Sequence, residues 1–127
     1  MFRLSTKADY GLILLSSLSR SKKLTSISSV AKKNKISAKF LAQIAANLKK
    51  AGILMSKEGI SGGYSLAKRP RDIKLLDVLK VLDGELVEGK CFEAGHECTC
   101  GAGDMWADIK VQMEETIGKK TVADLVA

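Results

Sequence analysis

Three observations predict a mainly α-helical fold that carries one small β-hairpin and ends in a long helix. Apolar residues recur at helical spacing in five separate stretches. Two short runs, Ile53–Lys57 and Tyr64–Ala67, flank the glycine-rich segment Glu58–Gly63, the signature of a hairpin. Capping residues or glycines bound most of the helical stretches. At 127 residues the chain has the size of one ordinary domain, and 28% charged against 46% hydrophobic residues places it among globular chains rather than disordered ones. No apolar run approaches the roughly 20 residues of a membrane-spanning helix, and Met1–Lys7 lacks the apolar core of a secretion signal, so a cytoplasmic location is expected.

The first helix runs over residues 4–18, with Leu4, Tyr10, Ile13, Leu14 and Leu18 as its apolar marks and Ser5 or Thr6 as its N-cap. Ser26 caps a short second helix marked by Ile27, Val30 and Ala31. After the tight connection Asn34-Lys35-Ile36, Ser37 caps a third, carrying Phe40, Leu41, Ile44, Ala45 and Leu48 and closed by Gly52. Two short helices joined by three or four residues form a helix-turn-helix, here without the glycine often found in the turn. The hairpin follows directly, in the place of a wing. Its glycines would let the backbone run close to a phosphate. A nucleotide-binding loop is excluded, because the Lys-Ser/Thr and following helix that such a loop needs are missing. Pro70 ends the hairpin region, a fourth helix covers Leu75–Leu82 up to Gly84, and the last begins near Asp104 with Met105, Trp106, Ile109, Met113 and Ile117. Thr121 caps a final short turn. The expected division is a winged helix-turn-helix domain over 1–84, a cysteine loop over 85–103, and a dimerisation helix with its C-terminal turn over 104–127.

The net charge of +7 is unevenly spread. Residues 1–74 hold 16 Lys and Arg against three acids (Asp9, Glu58, Asp72), whereas residues 75–127 hold five Lys against 11 acids. A basic N-terminal half suits a polyanion, because Lys and Arg displace the counterions condensed on phosphates; a solvated surface of uneven charge is the plainer alternative. Cys91, Cys98 and Cys100 lie within ten residues. An odd, clustered set in a cytoplasmic chain points to a shared ligand or a redox sensor rather than a disulfide framework, with three free thiols as the alternative.

Four stretches resemble the Rrf2 family of winged-helix transcription regulators (IscR-, NsrR- and CymR-like). They are Leu4–Leu12, Ile36–Ile44, Leu48–Leu54 continuing through Gly62–Ala67, and Trp106 with the tail Thr121–Leu125. The likeness covers nearly the whole chain. Its most specific part is Lys50-Ala51-Gly52 followed by Gly62-Gly63-Tyr64-Ser65-Leu66-Ala67 and then clustered cysteines. The resemblance implies a homodimer in which the last long helices cross. Independently, the apolar stripe with Trp106 requires burial, against either a second copy or the chain's own N-terminal domain.

A regulator of this kind binds double-stranded DNA. By position, Lys39 and Gln43 are the groove-facing candidates, since Gln pairs with adenine and Lys reaches guanine or phosphate. Asn47 lies one turn on and reaches the backbone. Lys7, Lys57, Gly62, Gly63 and Tyr64 are candidates for phosphate or minor-groove contact. Where IscR-like members carry Arg shortly before the wing glycines, this chain has Glu58.

Three thiolates, from Cys91, Cys98 and Cys100, with one further ligand suit an iron–sulfur cluster, either two-iron or four-iron, with zinc as the alternative. Cys100 sits six residues before Trp106, as the last family cysteine does, but Gly103 takes the place of the ligating His of IscR-like members. His96 is the local candidate for the fourth ligand, and Asp9 is the candidate that the resemblance suggests. The expected function is a regulator that senses iron–sulfur status, redox state or nitric oxide. The alternative is a cluster-free, CymR-like regulator answering to a protein partner. An enzyme is not expected, because His96 is the only base of its type and nothing by spacing orients it. No membrane and no small-molecule substrate are expected as partners.

Overall fold

The computed structural model describes residues 5–87, 89, 92–93, 95 and 101–126. The order is α1 (Thr6–Arg20), α2 (Ile27–Asn34), α3 (Ala38–Lys50), β1 (Leu54–Lys57), β2 (Gly63–Leu66), a 3-10 turn at Pro70–Asp72, α4 (Leu75–Asp83), α5 (Ala102–Gly118) and a second 3-10 turn at Val122–Leu125. This is a mainly helical fold with a two-stranded antiparallel wing, as expected.

The predicted serines cap the first three helices. The Ser5 hydroxyl accepts from the Ala8 N–H at 3.0 Å, Ser26 from Ser29 at 3.1 Å and Ser37 from Phe40 at 3.2 Å. Ser5 Oγ also donates to the Asp83 carboxylate, tying the start of α1 to the end of α4. Leu4 lies outside the described residues. The helix-turn-helix turn manages without glycine because Lys35 itself takes the left-handed conformation, φ 57° and ψ 44°. That geometry costs an L-residue about 1–2 kcal/mol. The Ile36 N–H then closes onto the Ala31 carbonyl at 3.0 Å, and the Ile36 side chain packs on the core.

The core lies where α1, α3 and α4 meet. α1 contributes Leu14, Leu15 and Leu18, α3 contributes Leu41, Ile44, Ala45 and Leu48, and α4 contributes Val78 and Leu82. These positions are three or four apart, so each helix buries one stripe. Ile53 and Leu54 root the wing in the same cluster. Val122 joins it too, fully buried. The chain end is stitched on by Leu75 N–H to the Lys120 carbonyl and Val122 N–H to the Ile73 carbonyl, both at 3.0 Å. The tail that follows α5 is therefore built into the N-terminal core.

The strands pair from Leu54 opposite Leu66 to Lys57 opposite Gly63. On the other side of β2, Tyr64 exchanges backbone hydrogen bonds with Thr25 at 2.8 and 3.0 Å. Gly63 makes this possible. Its φ is +150°, and a Cβ there would lie 2.7 Å from the Thr25 backbone. At Gly62 an added Cβ would collide with the Lys57 carbonyl. The chain's own packing therefore demands both glycines. Gly59, with φ +111°, has open space around it.

Gly63→Ala should lower the unfolding free energy by about 2–4 kcal/mol, through overpacking against rigid backbone combined with an unfavourable φ. Gly59→Ala should cost only about 1 kcal/mol, from φ alone. Urea unfolding followed by far-UV circular dichroism compares the two; equal losses would contradict the close approach to Thr25.

Candidate nucleic-acid interface

Burial of Leu41, Ile44, Ala45 and Leu48 turns the opposite face of α3 to solvent. Lys39, Gln43 and Asn47 are all exposed on it. Lys39 and Gln43 lie four residues apart, one turn, and share a stripe with Ala42, Ala46 and Lys50. The sequence reading omits those last three, although the same i+3 and i+4 spacing reaches them. Two alanines in the middle of the stripe leave the helix backbone uncovered by long side chains. Phe40 and Ile44 face inward: Phe40 meets Tyr10 edge-on, with ring centroids 5.6 Å apart.

That aromatic contact sets the first half of α1 beside the start of α3. Lys7, exposed three residues before Tyr10, therefore belongs to the same end of the molecule as Lys39. Lys57 is exposed at the outer end of β1, and Gly62 and Gly63 are half-buried in the wing. Tyr64 is also half-buried, and its ring packs against the core. Among the described residues no ion pair engages Lys7, Lys39 or Lys57. The acid-rich half of the chain instead pairs with its own lysines, Lys80 with Glu114 at 3.8 Å and Lys110 with Glu85 at 3.5 Å. The positive charge of Lys7, Lys39 and Lys57 is thus left facing water.

Cys91, Cys98, Cys100 and His96 lie outside the described residues. Among the described residues no group of three or more His, Cys, Asp or Glu could hold a metal ion. Asp9 is exposed on α1 and lines a shallow cleft with Ser16, Arg20 and Asn34. No helix among the described residues is long and apolar enough to cross a membrane.

α5 differs from the other helices. Despite Met105, Trp106, Ile109, Met113 and Ile117, none of its residues is buried. Met105 and Val111 are about half exposed, at 53% and 52%. Within the chain α5 lies along α4, joined by the half-exposed ion pairs just described, and Lys110 Nζ sits 5.0 Å from the Phe92 ring centroid. Such pairs contribute only about 0–1 kcal/mol each.

The family model for Rrf2, described as an iron-dependent transcriptional regulator, matches residues 4–127. The protein rrf2 of Nitratidesulfovibrio vulgaris is 30% identical over 130 residues, covering 98% of this chain and 87% of the relative. The structure of CymR, the global cysteine regulator of Bacillus subtilis, superposes with a TM-score of 0.82 at 31% identity, covering 99% of this chain and 97% of that one. IscR of T. potens superposes with a TM-score of 0.80 at 32% identity, covering 98% and 85%. A helix-turn-helix with an exposed polar stripe, a glycine-dependent wing, and likeness along the full chain together make this protein a member of the Rrf2 family of DNA-binding transcriptional regulators.

Proposed function

We infer that the chain is a homodimeric repressor-type regulator that reads its operator with α3 and the wing, and that its state is set at the cysteine loop. Residues 1–84 form the reading head, 85–103 the sensing loop, and 104–127 the dimerisation helix with its terminal turn. The observation that carries the reading is the exposed stripe of α3, with Lys39 and Gln43 in its first half, Lys7 at the same end of the molecule, and Lys57 exposed on the wing, none of the three lysines in an ion pair among the described residues. A regulator of this family is not an enzyme, so the groups act by contact alone. Gln43 and Lys39 suit base edges in the major groove, and Asn47 suits the backbone. Lys7 and Lys57, with the Gly62–Tyr64 backbone, suit phosphates and fix the register.

A second copy is the partner that suits α5. Its half-exposed apolar residues find no complete cover on α4, and a two-fold pair of reading heads matches a palindromic operator. The three thiolates are a soft donor set that accepts an iron–sulfur cluster or zinc, with His96 or Asp9 as fourth ligand. When bound, such a group would cross-link residues 91–100 immediately before α5. A cluster-free regulator that answers to a protein partner is the second reading; Gly103, in the place of the ligating His of IscR-like members, favours it.

Three outcomes are expected. Gln43→Ala should weaken binding to a duplex selected from a random-sequence pool by about 1–3 kcal/mol and relax the preference at one base pair; Lys57→Ala should weaken all duplexes alike and reduce the salt slope by about one. Gel-shift titrations at several salt concentrations separate these effects, and identical profiles for the two variants would contradict the assigned roles. Light scattering should give twice the chain mass of 13.7 kDa. Ile109→Glu should return the monomer and lower affinity for a two-half-site duplex by roughly 100-fold. Protein purified anaerobically should carry iron and acid-labile sulfide with visible absorption, all lost in Cys91→Ala. Colourless, iron-free wild type would decide for the CymR-like reading, and bound zinc without sulfide for a zinc regulator.

A further inference from the structure

The wing tip holds an anomaly that the phosphate-contact reading leaves unused. Ile60 is 108% exposed, more than any other large apolar residue among those described. Its loop is not slack. The Gly62 N–H donates to the Gly59 carbonyl at 3.0 Å, and backbone fills the space beside Gly62. The hairpin base is fixed by Leu54, which is 2% exposed, and by the Thr25–Tyr64 bridge. From Leu54 to Lys57 the strand advances about 10 Å, so a rigid arm presents Ile60 well clear of the core. A polar residue would serve equally well at a solvated turn. An isoleucine held out in this way is instead available to cover apolar surface on whatever the wing meets.

We propose that Ile60 enters the minor groove beside the base pairs read by α3 and selects there against the guanine amino group. The inference rests on the DNA-binding reading above and adds a residue and a specificity to it. Lys57, at the base of the loop, suits a phosphate on the groove wall. Glu58, next to it, is repelled by phosphates, so the tip between the walls offers no cation to the groove. What it offers is a branched hydrocarbon about as wide as the minor groove floor. The minor groove distinguishes A·T from G·C chiefly by the guanine N2 amino group, which rises from the floor as a donor. Pressed against isoleucine methyls, that donor would lose its water and gain no acceptor. A·T pairs lack the obstruction, and apolar side chains are common wedges in this groove.

The test uses a duplex selected by the wild type from a random-sequence pool. The segment under the wing is rebuilt three ways, with A·T, G·C or inosine·C pairs. Inosine keeps the major-groove face of guanine and lacks the amino group. The wild type should bind the A·T and inosine·C versions alike and the G·C version about fivefold or more weakly. Ile60→Ala, a change at a solvent-exposed site with an unchanged melting temperature expected, should bind all three within about twofold at the wild-type salt slope. The inference is overturned if the wild type treats G·C and inosine·C alike, or if Ile60→Ala discriminates as strongly as the wild type. Those failures leave salt-dependent binding intact, and would turn attention to a protein partner at the tip. Absence of salt-dependent binding to any duplex would overturn the DNA-binding reading as well.

Discussion

The buried ridge of α3 governs the molecule. Leu41, Ile44, Ala45 and Leu48 are almost fully excluded from water against α1 and α4, and that burial fixes the rotation of the helix about its own axis. Once the ridge is seated, the residues two positions away have no choice of direction. Lys39, Gln43 and Asn47 point out because their neighbours point in. The chemistry of the exposed stripe is thus a by-product of a hydrophobic constraint, and a change in the core that rotated α3 would misdirect every polar group at once. Rigid support of this kind is what a recognition surface needs.

The wing depends on the same body by a different device. Its strands are only four residues each, too short to stand alone in water. They persist because Leu54 and Leu66 pair across the hairpin on the core-facing side, and because the segment before α2 hydrogen-bonds to β2 at Thr25. Glycine is required where that third segment comes closest. The wing is therefore clamped to both helices of the helix-turn-helix, directly to α3 through Ile53 and to the entry of α2 through Thr25, and the two candidate DNA-contacting elements move as one piece.

Much of this was legible in the sequence, because helix caps and apolar periodicity are local signals. Ser5, Ser26 and Ser37 stand where the helices begin, and the hairpin lies where its glycines place it. The misses are all non-local. Nothing in the string tells that Lys35 takes the left-handed turn position usually given to glycine, since its reward is the fit of α2 onto α3. The packing need for Gly62 and Gly63, beside Lys57 and Thr25, appears only in three dimensions, in addition to any contact they make outside the chain. Val122 looks like part of a short terminal turn after the last long helix, yet it completes the core because the chain doubles back to meet Ile73. Ile60 is one apolar residue in a polar loop, and only the folded hairpin shows it fully exposed. The cysteine loop is the reverse case: its reading rests on residue types alone, since Cys91, Cys98 and Cys100 lie outside the described residues.

The return of the tail to the core gives α5 unequal ends. Its C-terminal end is moored by Val122 and the backbone bonds of residues 120–122, while its N-terminal end follows the cysteine segment. With 17 residues the helix extends about 25 Å. A swing of roughly 5° about the moored end would carry the opposite end some 2 Å across α4, outside the core cluster, to which α5 contributes no residue. The arrangement is that of a boom on a mast. Whatever packs along the outer length of α5 would then be turned through an angle relative to the core rather than displaced as a whole.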